Sequence, residues 1–238
     1  MLAVKALAFD VFGTVVDWRG SVAREVEVAL APKGYDLDWN GFAVAWRARY
    51  QPAMERVRSG GRGFVKLDVL HRENLLEVLE EFGVRGLPEA ETDALNRAWH
   101  RLDPWPDVLP GMARLRATFP LAALSNGNVA LIVNMARRAG IPWDAILGAE
   151  VARAYKPMAQ AYLSAADMLG LAPAEVALVA AHNDDLRAAA VAGLRTVFVA
   201  RRTERADAGQ TEDLEAWEGA DLAAEDFGEL ADRLGCPR

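Results

Sequence analysis

Residues 4–14 of the chain have the sequence VKALAFDVFGT, and this stretch indicates how the fold begins: a strand, an aspartate and a turn. Its first six residues form a largely apolar run that is too short for a helix and predicts a buried strand. Asp10 ends the run, and Gly13 marks a turn. Ligands of open α/β sheets bind beyond the carboxyl ends of the strands, so the Asp10 carboxylate is a candidate nucleophile. The simpler alternative is an aspartate that caps the turn.

Strand-like and helical patterns alternate along much of the remaining chain. Three more apolar runs predict buried strands, at residues 121–124, 176–181 and 195–199. Apolar residues at helical spacing predict helices over residues 128–139, 158–170 and 184–192. Strands that alternate with helices in this way predict a parallel sheet covered by helices on both faces.

The region between the first strand and residue 100 breaks this alternation. It is rich in Arg, Glu, Ala and Leu and looks helical throughout, apart from interruptions at residues 32–34 and 59–63. The two prolines of residues 103–106 oppose continuation of the last helix. We therefore expect an α/β fold with a doubly wound, Rossmann-like parallel sheet and an inserted helical cap domain. The predicted domains are a core of residues 1–16 and 101–238 and a cap of residues 17–100.

Composition narrows the function classes. The 238 residues carry a formal net charge of -7, which opposes general nucleic-acid binding because such binding requires a basic face. The single cysteine, Cys236, excludes a disulfide framework and a cysteine-rich zinc site and indicates a reducing compartment. Neither a signal-peptide pattern nor a run of ~20 apolar residues is found, so we expect a soluble cytoplasmic protein with no membrane partner.

Three further polar groups stand at corresponding places in the α/β pattern. Residues 125–126 (Ser-Asn) follow a predicted strand, where hydroxyl, amide and backbone N–H groups can form an anion site; a simple helix N-cap is the alternative. A lone Lys156 before proline is typical of a surface, but beside Asp10 it would lower the pKa of that carboxyl. Residues 182–185 (His-Asn-Asp-Asp) follow another strand, and their acids could cap a helix, activate water or hold a metal.

Together these groups resemble the haloacid dehalogenase superfamily over the whole chain. The shared order is Asp10 after the first strand, a helical cap, Ser125-Asn126, Lys156 and a final acidic group. Most members are magnesium-dependent phosphatases whose first motif is Asp-x-Asp. The second Asp protonates the leaving alcohol, a contribution of ~10²–10⁴ in rate. Phe12 occupies that position here and cannot donate a proton, which favours a halide as the leaving group.

The closer resemblance is to the L-2-haloacid dehalogenases, also called type II haloacid dehalogenases. Their first motif, Phe-Asp-aliphatic-aromatic-Gly-Thr, is matched by residues 9–14. The other matches are Trp46-Arg47 in the cap, Ser125-Asn126-Gly127, Tyr155-Lys156-Pro157 and Tyr162, six residues after the lysine. Ungapped counting from Lys156 places the final acid of the family at Asp185 rather than at Asp184.

This resemblance implies a two-step reaction and a role for each matched residue. Asp10 attacks the halogen-bearing carbon and forms an ester, which water then cleaves. The implied catalytic residues are Asp10 as nucleophile, Thr14 and Lys156 to aim it and keep it ionised, and Asp185 with His182 to activate water. The implied substrate- and halide-binding residues are Phe12, Arg47, Ser125, Asn126 and Tyr162. Arg47 and Asn126 would hold the halide, and Ser125 the substrate carboxylate. No metal or cofactor is implied.

Four residues around the final acid depart from the pattern best known in that family. Many relatives have Ser-Ser-Asn where this chain has Ala-Ala-His, at residues 180–182. The residue before the final acid is often Trp in relatives and is Asp184 here. A His-Asn sub-branch includes enzymes that act on small haloacids, fluoroacetate among them, and His182 fits it. A satisfied core histidine is the alternative. A second carboxylate at Asp184 could raise the pKa of its neighbour or restore a magnesium site.

Three functional hypotheses follow. The first is a metal-independent hydrolytic dehalogenase that converts a short, anionic 2-haloacid, with fluoroacetate as a further candidate, to the 2-hydroxy acid. The second is a magnesium-dependent phosphatase that acts on a small phosphorylated metabolite. The third is a dehalogenase-like scaffold that binds a carboxylate without turnover. Relatives are often homodimers, so the resemblance leaves a homodimer open.

Overall fold

The strands of the protein form one parallel sheet and one small antiparallel pair, in a computed structural model that describes residues 2–205 and 210–238. In chain order the strands are β1 (Ala6–Phe9), β2 (Val16–Asp17), β3 (Asp103–Pro104), β4 (Leu121–Ser125), β5 (Ala145–Gly148), β6 (Val176–Ala180), β7 (Arg195–Val199) and β8 (Leu222–Ala224). The parallel sheet has the order β5-β4-β1-β6-β7-β8, and β2 pairs with β3. The predicted parallel sheet is confirmed.

The helices fall into two sets. Those between β2 and β3 are α1 (Trp18–Leu30), α2 (Trp39–Ala48), α3 (Tyr50–Arg58), α4 (Leu67–Glu81) and α5 (Glu89–Asn96). Those that follow β3 are α6 (Val108–Arg116), α7 (Val129–Ala139), α8 (Ala149–Ala152), α9 (Ala159–Met168), α10 (Asn183–Val191) and α11 (Phe227–Arg233). The first set is the inserted helical cap, and the second set accompanies the strands of the sheet. The domain bounds at residues 16/17 and 100/101 stay a prediction, and Met1 lies outside the described residues.

β1 lies in the middle of the sheet and is buried along its whole length, which explains its apolar sequence. Leu7 is opposite Leu121 of β4 on one side and Ala177 of β6 on the other. The Phe9 ring lies 5.5 Å from the rings of Trp143 and Phe227. Because β4, β1 and β6 are neighbours, the residues that follow these three strands meet at one edge of the sheet.

Two strands of the sheet were not predicted from the sequence. β5 has the apolar sequence AILG, but the run is short and α8 follows directly at Ala149, so the segment does not stand out as a separate strand. β8 has three residues at the edge of the sheet, too few for a pattern. The helices α7, α9 and α10 match the predicted helices to within two residues at either end.

The cap contacts the core through aromatic rings. Trp46 of α2 and Trp99 are fully buried, with ring centroids 5.6 Å apart, and Trp99 lies 5.8 Å from the ring of Phe12 in an edge-on arrangement. Phe12 therefore belongs to a hydrophobic cluster shared by the cap and the sheet edge. Among the described residues, no helix is long and apolar enough to cross a membrane.

Candidate active site

Asp10 lies directly after β1 and is 7% exposed. Its Oδ1 accepts a hydrogen bond from Lys156 Nζ at 2.9 Å, and its Oδ2 accepts one from Thr14 Oγ1 at 2.8 Å. His182 Nδ1 lies 3.3 Å from the same Oδ2. Burial alone would raise the pKa of Asp10, but the charges of Lys156 and His182 hold that pKa far below its usual range. The carboxylate is therefore ionised at neutral pH, as a nucleophile requires.

The turn after Asp10 fixes the direction of its carboxylate. Gly13 has a φ of 88°, in the left-handed region, and a side chain there would collide with the carboxylate of Glu204. The buried Thr14 hydroxyl accepts a hydrogen bond from the Ala181 N–H at 2.9 Å while it donates to Asp10. Because both of its hydrogen bonds are made, the Thr14 hydroxyl holds Asp10 in one orientation.

Lys156 lies between two carboxylates. Its Nζ is 2.9 Å from Asp10 Oδ1 and 2.5 Å from Asp185 Oδ2, and the residue is 6% exposed. Burial alone would lower the pKa of Lys156, but the two carboxylates raise it above its usual range, so the ammonium keeps its proton. Its backbone N–H donates to Asn126 Oδ1 at 2.8 Å, which joins this segment to the loop after β4.

The adjacent acids Asp184 and Asp185 face in different directions. Asp185 Oδ1 accepts a hydrogen bond from the Tyr162 hydroxyl at 2.6 Å, and its Oδ2 contacts Lys156, so both oxygens have donors. The side chain of Asp184 is 97% exposed and pairs with Arg187 at 2.9 Å. Across residues 2–205 and 210–238, no group of three His, Cys, Asp or Glu side chains is arranged to hold a metal ion. Asp185 therefore belongs to the group around Asp10, and the carboxylate of Asp184 points to solvent.

His182 connects Asp10 to a buried acid, Glu204. Its Nε2 lies 2.9 Å from Glu204 Oε2, and the other oxygen of that carboxylate accepts a hydrogen bond from Trp18 Nε1 at 2.8 Å. Burial alone would lower the pKa of His182, but Glu204 and Asp10 raise it to about 10. Burial would raise the pKa of Glu204, but the His182 ring lowers it overall. The resting site thus holds an imidazolium between two carboxylates.

Phe12, Arg47 and Tyr50 form a second group beside Asp10. The guanidinium carbon of Arg47 is 4.0 Å from the centroid of the Tyr50 ring and 5.6 Å from that of the Phe12 ring. Within the part of the chain that the structure describes, the buried Nη1 of Arg47 has no hydrogen-bond partner. A buried charged donor without an acceptor is unfavourable, so this position is suited to an anion.

A cavity of about 430 Å³ lies between the cap and the sheet edge. It is lined by Asp10, Phe12, Arg47, Tyr50, Gln51, Arg58, Asn126, Lys156, Pro157, His182, Asp184, Asp185 and Asp213. The described lining does not include Ser125, Thr14 or Tyr162. Ser125 is fully buried at the end of β4, where its Oγ accepts a hydrogen bond from the Gly127 N–H at 3.0 Å. Most of the predicted site residues thus meet at this cavity, and the other three lie behind it.

The sequence analysis did not single out Tyr50, Glu204 or Arg58. Tyr50 begins α3 whereas Arg47 belongs to α2, so helical spacing does not indicate that the two side chains meet. Arg58 of α3 donates to the Lys156 carbonyl at 3.0 Å and so joins the cap to the core. Glu204 follows β7 in a loop, and no local pattern marks it.

Comparisons with known proteins agree with this geometry. Solved structures similar to the chain include the defluorinating L-2-haloacid dehalogenase Rha0230, which has 48% identity, a TM-score of 0.95, and coverage of 98% of this chain and 96% of that one. The L-2-haloacid dehalogenase PA0810 has 46% identity, a TM-score of 0.93, and coverage of 98% of this chain and 99% of that one.

A more distant relative is the (S)-2-haloacid dehalogenase of Xanthobacter autotrophicus. It is 29% identical over 205 residues, which cover 85% of this chain and 78% of that protein. A sequence profile of the family described as haloacid dehalogenase-like hydrolase matches residues 4–193. The fold, the residues around Asp10 and this match over most of the chain lead to one assignment. The chain belongs to the haloacid dehalogenase-like hydrolase family.

Proposed function

We propose that the protein is a metal-independent hydrolytic dehalogenase that converts a short 2-haloacid to the 2-hydroxy acid through an ester of Asp10. The observation that carries the proposal is Phe12, which lies 2% exposed among aromatic rings with the Arg47 guanidinium beside it. A leaving alkoxide needs a proton from a general acid, a contribution of ~10²–10⁴ in rate. A halide leaves as an anion and needs a positive partner, which Arg47 supplies.

In the first step, an oxygen of the Asp10 carboxylate attacks the carbon that bears the halogen. The new carbon–oxygen bond forms as the carbon–halogen bond breaks, and the halide leaves with the bonding electron pair toward Arg47. Asn126 accepts the Lys156 N–H with its amide oxygen and contacts the Tyr50 hydroxyl with its amide nitrogen, whose second N–H would be a further donor to the halide. Backbone N–H groups of the loop after β4 would bind the substrate carboxylate, and the fully buried Ser125 hydroxyl would hold that loop through the Gly127 N–H.

In the second step, water attacks the carbonyl carbon of the Asp10 ester. Both oxygens of Asp185 already accept hydrogen bonds from Lys156 and Tyr162, so we assign Asp185 to holding Lys156. His182 is better placed as the base, because its Nδ1 is 3.3 Å from Asp10 Oδ2. Ester formation removes the negative charge of Asp10, which lowers the pKa of His182. The ring then loses its proton more readily and can accept one from water.

Metal independence is supported by the side chains around Asp10. Lys156 is shared with magnesium-dependent members of the superfamily, but here its ammonium and the Tyr162 hydroxyl already occupy both oxygens of Asp185, and Phe12 supplies no second carboxylate beside Asp10. The Asp184 carboxylate is 97% exposed and pairs with Arg187 rather than with Asp10 or Asp185, which also supports the proposal. In this proposal the enzyme works in the cytoplasm, where its free Cys236 stays reduced.

The test is halide release from (S)-2-chloropropionate, chloroacetate and fluoroacetate, with and without EDTA. We expect chloride from the first two at rates that EDTA does not change. Fluoride release from fluoroacetate is expected as well, since the unpartnered Nη1 of Arg47 offers a donor to the strongest hydrogen-bond acceptor among the halides. Absence of halide together with magnesium-dependent hydrolysis of a phosphoester would establish the alternative, a phosphatase.

The neighbours Asp184 and Asp185 provide a matched pair of variants. Asp185→Asn removes one carboxylate from Lys156, so kcat for chloride release should fall about tenfold as Lys156 and Asp10 lose their alignment. Asp184→Asn changes a carboxylate at the exposed rim of the cavity that contacts Arg187 and not Lys156, so kcat should stay within about twofold of the original. Steady-state kinetics without added metal measures both variants. Equal losses in the two would contradict the assignment of Asp185.

Glu204→Gln should change the pH dependence of turnover. Glu204 is a main cause of the raised pKa of His182, so its loss lowers that pKa, and the limb of the kcat profile that rises with pH should move to lower pH. The amide also orients His182 less well, so kcat on the plateau should fall about tenfold. The kcat profile of chloride release measures both effects. An unshifted limb would mean that Glu204 does not act through His182.

A further inference from the structure

The turn after the nucleophile has three successive backbone carbonyls, at residues 13–15, and each accepts a hydrogen bond from outside the turn. The first and the last accept from Trp105, from its ring N–H at 2.8 Å and its backbone N–H at 3.1 Å. The middle carbonyl, that of Thr14, accepts from Arg201 Nε at 2.8 Å. Arg201 therefore holds the backbone of the residue whose hydroxyl orients Asp10.

The other two nitrogens of the Arg201 guanidinium hold the side chain in place. Nη1 and Nη2 each donate at 2.9 Å to one oxygen of the Asp107 carboxylate, which makes a bidentate ion pair. Arg201 is 8% exposed, and its guanidinium carbon lies 5.1 Å from the centroid of the Phe227 ring. Because the guanidinium is planar and rigid, these contacts together leave it one orientation.

Asp107 serves this contact instead of capping its own helix. It occupies the N-cap position of α6, but its side chain accepts no hydrogen bond from that helix. An aspartate at this position ordinarily accepts a backbone N–H of the helix that it begins. Here Oδ2 accepts from the Phe227 N–H at 2.9 Å, in addition to Arg201. The carboxylate thus anchors Arg201 to the starts of both α6 and α11.

The loop that carries Arg201 also carries Glu204. The two residues begin and end one turn, in which the Glu204 N–H donates to the Arg201 carbonyl at 3.1 Å. The carboxylate of Glu204 contacts His182 Nε2 at 2.9 Å, and Nδ1 of that ring faces Asp10 at 3.3 Å. The position of Arg201 therefore fixes where the turn to Glu204 begins.

We propose that Arg201 is a positioning residue that joins the two steps of the reaction: through Thr14 it holds the nucleophile, and through the turn to Glu204 it holds the group that orients the base. Arg201 does not belong to the described lining of the cavity at Asp10, so it acts through these residues and not on the substrate. This inference rests on the proposed dehalogenase function and adds to it a residue outside the cavity.

Arg201→Lys is the variant that tests the inference. It keeps the positive charge but places a methylene where Nε donates to Thr14, and a single ammonium replaces the fork that binds Asp107. Because the charge remains, a change at His182 in this variant reports a change of position. Asp107→Asn weakens the same anchor while it leaves Arg201 in the chain, and it should reproduce both effects below if Arg201→Lys does not fold.

Arg195→Lys is the matched control. Arg195 begins β7, the strand that precedes Arg201, and pairs with Asp221 at 3.1 Å. It therefore tests the same substitution in another arginine–aspartate pair, at the opposite end of the strand. Chemical denaturation of every variant establishes that the measurements are made on folded protein.

The first measurement is an NMR titration of the His182 ring, which needs no substrate. The chain has three histidines, and His182→Gln identifies the signal. Burial alone would lower the pKa of His182, but Glu204 and Asp10 raise it to about 10. In Arg201→Lys the Glu204 carboxylate is held less closely, so this pKa should fall, in the same direction as in Glu204→Gln. Arg195→Lys should keep the original pKa.

The second measurement is the single-turnover rate constant of chloride release from (S)-2-chloropropionate at saturating enzyme, which reports the attack by Asp10. In Arg201→Lys this rate constant should fall about tenfold, because Thr14 then holds the carboxylate less firmly. A variant that is only partly folded has fewer active molecules, which leaves the rate constant of the saturated enzyme unchanged. The measurement therefore separates positioning from loss of folded protein.

A lower pKa of His182 together with a slower first step supports the inference. An unchanged titration or an unchanged rate constant in Arg201→Lys would mean that Arg201 does not join the two steps, and would overturn it. Equal changes in Arg195→Lys would overturn it as well, since they would show a general effect of weakening the sheet. If the original protein releases no halide, the proposed function fails, and the His182 titration still decides whether Arg201 positions Glu204.

Discussion

Asp10→Asn should abolish halide release, with kcat lower by about 10⁴–10⁶-fold, as for other enzymes that lose their nucleophile. The amide has no negative charge and cannot form the ester. Thr14 can still donate to its oxygen, so the turn and the sheet edge should persist. Chloride release from (S)-2-chloropropionate measures the effect, and mass spectrometry of the protein shows whether an adduct forms.

The control for Asp10→Asn is folding. Lys156 loses one of two carboxylate partners, so the free energy of unfolding should be compared with that of the original protein by chemical denaturation. A folded Asp10→Asn protein that still releases halide at more than a trace rate would rule out nucleophilic catalysis by Asp10. The Asp184→Asn variant serves as the matched carboxylate control, since that side chain is exposed.

His182→Gln should separate the two steps of the reaction. Alkylation of Asp10 needs an ionised carboxylate, which Lys156 still maintains, whereas ester hydrolysis loses its base and slows by about 10²–10⁴-fold. The variant should therefore release about one halide per active site in a rapid burst and then stop. Rapid-quench halide assays measure the burst, and mass spectrometry of the intact protein detects the persistent ester.

Glu204→Gln gives a graded comparison for the His182→Gln result. It retains the imidazole, so its ester should accumulate less than in His182→Gln and more than in the original protein. Sustained halide release by His182→Gln at the original rate would show that another group, such as Asp185, is the base. Loss of the burst itself would show that His182 is needed for the first step, which would contradict the proposed role.

Much of the fold follows from local patterns. β1, β4 and β6 are fully buried strands, and β7 is buried apart from Arg195; burial on both faces gives them the apolar runs by which they were predicted. β5 has only a short apolar run, AILG, that continues directly into α8, and β8 is too short for a pattern. The helical cap was predicted from composition, whereas its aromatic contact with Phe12 depends on tertiary packing.

The part of the site at the sheet edge was predictable for a similar reason. Asp10, Asn126 and His182 follow strands that are neighbours in the sheet, so the chain order of strands and polar residues already indicates their meeting. Glu204 follows β7, and its carboxylate contacts His182 because the loop that carries it turns back toward β1. No short sequence pattern indicates that turn. The opposite directions of Asp184 and Asp185 depend on where α10 begins, at Asn183.

A single turnover in ¹⁸O-labelled water, with enzyme in excess over (S)-2-chloropropionate, tests ester formation most directly. If water cleaves an ester at the Asp10 carbonyl, the heavy oxygen enters Asp10, and the product takes its new oxygen from the original carboxylate. The peptide that contains Asp10 should then gain the label, and the 2-hydroxypropionate should carry none. Label in the product with an unlabelled Asp10 would show direct attack of water on the substrate and would contradict the covalent mechanism.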